Sequence, residues 1–193
     1  MCVPQVVGCS SGRRLAPMAS GHCFGNVHRA YPVGVIREAV ADDVAVIAEL
    51  IRGLAEYERL ADQVVLDEAA LQLHLFGERR YAEVIVAEDD ASREIVGFAL
   101  FFHNYSTFLG KPGLYLEDLF VRPEHRGGGH GKALLAHLAR LAVERDCGRL
   151  EWSVLDWNEP SIAFYRSLGA AAMDEWTGYR LMGEALTSLA GGS

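Results

Sequence analysis

A chain of 193 residues, half of them apolar, has the size of one globular domain with its own core and needs no disulfide staple to fold. Its formal net charge of −8 argues against nucleic acid as a partner, and no apolar run approaches the roughly 20 residues of a membrane span. The four cysteines, Cys2, Cys9, Cys23 and Cys147, show neither CxxC nor His-paired spacing, so no metal is expected and a reduced, cytoplasmic setting is the natural inference.

Charge is uneven along the chain. The first 33 residues hold three arginines and no acidic residue, which leaves 15 basic against 26 acidic residues from Gly34 onward, a net of −11. Residues 1–33 mix Ser, Gly, Pro and Arg without hydrophobic alternation and read as a disordered N-terminal extension. A mis-set translation start or a loose tether explains it better than a transit peptide. Residues 34–190 are expected to form the folded domain.

In chain order, Val35 to Ala39 reads as a short strand. Asp42 or Asp43 then caps a helix with Val44, Ile47, Ala48, Ile51 and Leu54 on one face, ending at Glu56-Tyr57-Glu58. Asp67 caps a second helix carrying Leu71, His74 and Leu75. Strands follow at Ala82 to Glu88 and Ile95 to Asn104, joined by the polar turn Asp89 to Ser92 as a hairpin. Gly113 to Arg122 is a strand that feeds a glycine-rich turn and a helix with Leu134, Leu135, Leu138, Leu141 and Ala142 at helical spacing, which Gly148 is expected to end. With the run Arg149 to Leu155 as a strand, this stretch is a βαβ unit. Asn158-Glu159-Pro160 opens a helix lined by Ile162, Tyr165 and Leu168 and stopped by Gly169. Thr177 to Met182 is expected as a last strand.

The turn Arg126-Gly-Gly-Gly-His-Gly-Lys132 joins a strand end to a helix start, where unpaired N–H groups and missing Cβ atoms together suit a phosphate. Gly131-Lys132 is followed by Ala133, so the hydroxyl of a P-loop is missing. The third glycine of a dinucleotide fingerprint is missing too. A bare structural turn remains open on the glycines alone.

The arrangement Arg126-x-x-Gly129-x-Gly131 resembles the coenzyme A loop of the GCN5-related N-acetyltransferases (GNAT). The likeness extends over residues 35 to 190 through Leu54 to Glu58, Tyr115 to Val121, Trp157 to Ser161, Phe164-Tyr165 and Leu168 to Ala170. It is closest to the spermidine/spermine (diamine) N1-acetyltransferase group, and Tyr105 to Thr107, Val154 to Asn158 and Gly183 to Ala185 look more like its thialysine-acetylating branch. The resemblance implies an α/β fold, a twisted, mostly antiparallel mixed sheet flanked by helices. It also implies transfer of an acetyl group from acetyl-CoA to a primary amine of a small cationic substrate in a ternary complex, and a homodimer that exchanges its C-terminal strand and helix.

Acetyl transfer to an amine needs a neutral amine, a stabilised oxyanion and a protonated leaving thiolate. An alkyl ammonium has a pKa near 10.4, so some base must take its proton. Glu117 is the candidate, either through water or with its pKa raised by burial, although a lone strand carboxylate is usually solvent-facing. Adjacent residues on a strand face opposite sides, so one of Glu117 and Asp118 should meet whatever covers the sheet. Tyr165 is the candidate acid, since a phenol with a pKa of about 10 is protonated at neutral pH, but its helical stripe also suits core packing.

By resemblance, Leu119, Phe120 and Val121 offer backbone groups at a bulge to the thioester and the pantetheine arm. Arg126, Gly127, Gly128, Gly129, His130, Gly131 and Lys132 hold the pyrophosphate. Asn158, Glu159, Pro160 and Ser161 meet the cofactor arm, with Asn158 equally explained as a helix cap. Tyr57, Glu58, Glu117 and Asp118 contact the amine, and Phe108 and Tyr179 replace tryptophans of the polyamine enzymes. Acetylation of antibiotic amines or protein N-termini, and a non-catalytic acyl-CoA-binding module, are the rival readings.

Overall fold

The computed structural model describes residues 34–191, and the extension expected over 1–33 lies outside them. The described residues form one five-stranded sheet in chain order: β1 (Ile36–Glu38), β2 (Glu83–Glu88), β3 (Ile95–Ser106), β4 (Lys111–Val121) and β5 (Leu150–Trp152). Every neighbouring pair is antiparallel except β4 and β5, which are parallel, as a βαβ unit requires. The mixed, mostly antiparallel sheet is therefore the one expected.

Period-two alternation sorts the strand residues onto two cores. Val84, Val86 and Phe98 face α1 (Val44–Tyr57) and α2 (Glu68–Phe76), where they meet Ile47, Ala48, Leu50 and Leu54 of α1 and Leu71 and Leu75 of α2. Ile85, Ala87, Phe101, Leu114 and Leu116 face α3 (His130–Glu144) and pack on Leu134, Leu135, Leu138 and Ala142. Each such fully buried aliphatic side chain contributes roughly 1.5–3 kcal/mol. Gly53, mid-helix in α1, is explained by close approach: a Cβ there would sit 3.2 Å from the Phe120 ring.

Three local expectations change in this part of the chain. A 3-10 turn, Ala41–Asp43, precedes α1, and Asp43 makes no side-chain cap to that helix. Its carboxylate instead accepts the Val40 N–H at 2.8 Å and pairs with Arg37 at 2.7 Å, which holds it below the usual carboxylate range. Asp67 caps α2 as expected, accepting the Ala70 N–H at 2.7 Å, but His74 lies outside the core with its ring edge-on to Tyr81 at 5.2 Å. Asp146, not Gly148, ends α3. It adopts φ +52°, and the N–H groups of Asp146 and Cys147 return to the carbonyls of Val143 and Ala142 in a Schellman pattern. Gly148 is needed for room, since a Cβ there would lie 2.9 Å from Leu109 Cδ1.

The strand expected over Thr177 to Met182 does not form. The chain there has no regular structure and continues into α5 (Gly183–Leu189), with every described residue from 171 to 191 exposed. Alternation makes a strand only when a partner strand and a covered face exist, and this segment has neither within one chain.

Candidate active site

The decisive local event is in β4. Leu100 of β3 pairs with Asp118 and Phe101 pairs with Leu116, so Glu117 is an extra residue, a β-bulge. The bulge resets the alternation: Leu116 lies in the α3-facing core, whereas Phe120, which an unbroken strand would put on the same face, lies in the α1-facing core. Glu117 and Asp118 consequently open on one cavity instead of pointing to opposite sides.

The same place marks the end of strand pairing on the other edge. β5 pairs only with Leu114, Tyr115 and Leu116 and stops at Trp152, so from Glu117 to Val121 β4 is paired with β3 alone. A cleft opens between the two strands, with a volume of about 550 Å³. Its β4 wall presents a bare strand edge, suited to an extended, amide-bearing ligand.

The glycine turn closes one end of this cleft. Gly127 and Gly129 have φ of +78° and +94°, and a Cβ at Gly127 would meet nothing within 4 Å. Gly129 occupies the cap position of α3 and supplies no side-chain cap. The first backbone bond of the helix runs from the Ala133 N–H to the Gly129 carbonyl, so the amides of His130 and Gly131 have no acceptor within the helix. An anion can supply that cap, favoured by the helix dipole.

α4 (Glu159–Ser167) and the end of α1 form the opposite walls. Asn158 is buried and its Oδ1 accepts the Ser161 N–H at 3.4 Å and the Tyr57 hydroxyl at 3.2 Å, so it both caps α4 and ties it to α1. The Arg126 guanidinium lies 4.4 Å over the Tyr57 ring, while its Nε donates to the Val121 carbonyl at 2.9 Å. The Tyr165 ring lies 5.0 Å from that of Trp152, tilted against it at the edge of the α3-facing core, and also lines the cavity.

Asp118 is pushed up to about 6, mainly by burial and further by the charges of Glu117 and Glu58. Glu117, the bulged residue beside it, is exposed. Burial also raises Glu58, and it raises Tyr165 together with the nearby Glu58 and Tyr57, which keeps the phenol protonated at neutral pH.

The cavity gathers Tyr57 and Glu58 from α1, Glu117 to Val121 from β4, Arg126, Gly127, Gly129, His130, Gly131 and Lys132 from the turn and α3, and Asn158, Pro160, Ser161 and Tyr165 from α4. Gly128 and Glu159 do not line it, and Phe108 and Tyr179 are almost fully exposed away from it. Leu54, His125, Ser153, Val154 and Phe164 line it without having been anticipated. Leu54 was legible, standing one helical turn before Tyr57 and Glu58; Ser153 and Val154 become neighbours only through the parallel pairing of β4 and β5.

The sequence model of the Acetyltransferase (GNAT) family matches residues 46–170, a span that includes the cleft, the glycine turn and the bulged strand. The chain belongs to the GNAT family. It is 40% identical over 166 residues to the thialysine N-epsilon-acetyltransferase of Bos taurus, covering 81% of this chain and 97% of that protein. It is 34% identical to the L-ornithine N5-acetyltransferase of Arabidopsis thaliana, over 80% of this chain and 86% of that one. Among solved structures, an integron cassette protein of V. cholerae superposes with a TM-score of 0.66 at 30% identity, covering 81% of this chain and 96% of the other. This GNAT chain is thus an N-acetyltransferase that takes its acetyl group from acetyl-CoA. The glycine cradle, the uncapped α3 start and the bare β4 edge fit that donor. Among the described residues no helix is long and apolar enough to cross a membrane.

Proposed function

We propose that this acetyltransferase modifies the terminal amine of a small diamine-like cation, a thialysine- or ornithine-like amino acid ahead of a polyamine. The observation that carries this reading is the convergence of Glu58, Glu117 and Asp118 on the cavity that also holds the phosphate cradle. Three carboxylates favour a substrate with more than one positive charge, and both relatives named above act on amino acids with a side-chain amine. Acetyl-CoA supplies the activated acetyl thioester when bound.

The residues divide the work. Asp118 and Glu58 hold the ammonium, and the Glu117–Asp118 pair accepts its proton, with Asp118 pushed up to about 6 mainly by burial and the exposed Glu117 open to water. Backbone groups from Leu119 to Val121 orient the donor along the strand edge and Arg126, Gly127, Gly129, His130, Gly131 and Lys132 hold its pyrophosphate, with Asn158, Pro160 and Ser161 flanking the arm. Tyr165 holds a proton at its phenolic oxygen for the departing thiolate.

The test is thiol release from acetyl-CoA with thialysine, ornithine, lysine, spermidine, putrescine and an aminoglycoside in parallel. Highest kcat/KM for the amino acids supports the reading. A clear preference for the aminoglycoside or for spermidine over both amino acids overturns it.

A homodimer is part of the same proposal. Met173, Trp176, Tyr179, Leu181, Met182, Leu186 and Leu189 are all exposed, and β5 is an edge strand among the described residues. A second copy supplies the partner strand that residues 177–182 lack. Sedimentation equilibrium is expected to give a dimer, and truncation after Ala170 a monomer. A reduced, cytoplasmic setting is also proposed, on the absence of CxxC or His-paired spacing among the four cysteines.

A further inference from the structure

His125 and His130 flank the phosphate turn, and acetyl transfer assigns neither a chemical task. One ring nitrogen of each and one carboxylate oxygen of Asp89 lie within 4.8 Å of one another. Asp89 belongs to the β2–β3 turn, on a separate stretch of chain, and its carboxylate is already oriented. Its Oδ1 accepts the N–H groups of Ala91 at 3.0 Å and Ser92 at 2.9 Å and the Ser92 hydroxyl at 3.3 Å. Oδ2 remains, 3.9 Å from His125 Nδ1, too far for a direct hydrogen bond.

His130 supplies the second observation. It is 7% exposed, and its Nδ1 is buried without a hydrogen-bond partner. A buried polar atom left unpaired costs of order 1–3 kcal/mol, so it calls for a ligand. Two neutral imidazoles and a carboxylate are the donor set of zinc-like ions, and three protein ligands leave a fourth position for water or an anion. Zn–N bonds of about 2.0–2.1 Å need the donors closer together than they stand, and rotation of the half-buried His125 side chain toward the fixed Asp89 carboxylate supplies the movement. The Asp89 hydrogen bonds are the kind of outer contacts that orient a ligating carboxylate.

We propose that Asp89, His125 and His130 form a site for a divalent transition metal of the zinc class, which clamps the phosphate turn to the β2–β3 turn. The site stands independently of the amine reading. Metal there adds positive charge beside the cradle and restrains the loop that must hold the pyrophosphate, so metal and coenzyme A bind with mutual reinforcement.

The probe is Zn2+ titrated calorimetrically into the metal-free full chain, with Co2+ as its visible-absorbing substitute. The wild-type protein is expected to bind one equivalent with micromolar or tighter affinity. Asp89→Asn keeps the Oδ1 acceptor of the turn and removes the ligand oxygen, and His125→Gln removes an imidazole; each is expected to weaken binding at least about tenfold. The Co2+ spectrum should lack a sulfur charge-transfer band, which separates this site from the cysteines. In chelator, Asp89→Asn should bind coenzyme A as the wild type does, while added Zn2+ tightens coenzyme A binding several-fold only in the wild type. Equal Zn2+ affinity in wild type and both variants, or a Co2+ spectrum dominated by thiolate, overturns the proposal.

Discussion

The groups proposed for the coenzyme side of the cleft come mainly from one stretch, Leu119 to Lys132, and largely from its backbone, with Asn158, Pro160 and Ser161 beside it. On the amine side they come from side chains that α1, β4 and α4 bring from distant parts of the sequence. Backbone sites depend on local conformation: a bulge at Glu117, left-handed glycines at 127 and 129, and an uncapped helix start. Side-chain sites depend on packing, burial and mutual charge, as the raised Asp118 and Tyr165 indicate. Damage to the first should therefore act on coenzyme affinity, and damage to the second on turnover and pH dependence. Tyr57 bridges the two, bonded to Asn158 and stacked under Arg126.

The sharpest separation is expected from Tyr165→Phe, which removes a proton donor and little volume. Turnover should fall by about 10²–10³-fold while the calorimetric coenzyme A affinity stays within about twofold. Undiminished turnover removes Tyr165 from the chemistry. Gly129→Val is the reciprocal experiment: a β-branched residue at φ +94° is strained and intrudes on the cradle. Coenzyme A affinity should drop about 10- to 100-fold, with the kcat at saturating donor much less changed.

Asp118→Asn should reduce kcat/KM for a diamine about tenfold and flatten the acid limb of its pH profile. In the wild type that limb falls as pH drops through about 6, where Asp118 takes up its proton and loses its attraction for the ammonium. Stability has the opposite sign. The folded protein holds the Asp118 proton up to about 6, whereas the unfolded chain releases it near 3.8. The stabilisation this proton brings is therefore present at low pH and lost as pH rises through that window. Asp118→Asn should remove the dependence and make the protein more stable at neutral pH by of order 1–3 kcal/mol, read from urea denaturation at several pH values. The smallest effect belongs to Tyr57→Phe. Losing one hydrogen bond of about 1 kcal/mol should change the Michaelis constants for both substrates by about two- to fivefold. A change confined to the amine would show that Tyr57 serves only one side.

Features written in a few adjacent residues were legible from sequence. The Asp67 and Asn158 caps, the Asp89 to Ser92 turn and the Arg126 to Gly131 loop each have their cause within a handful of positions. Features set by neighbours across the fold were not. Asp146 ends α3 because it can adopt a left-handed conformation there, while the nearby Gly148 makes room for Leu109. Residues 177–182 have the alternation of a strand and no partner in their own chain. Asp89 and His130 look unrelated in sequence because a whole hairpin and a helix start separate them.

The order of elements as far as α4, the family resemblance and the glycine turn were determined by the sequence alone, since each rests on local spacing and backbone freedom. That burial raises Asp118, and that two adjacent carboxyls share a cavity, were decided by tertiary structure. An extra residue in β4 rotates the strand against its neighbour, and burial depth, invisible in a string of letters, sets the proton affinity of Asp118.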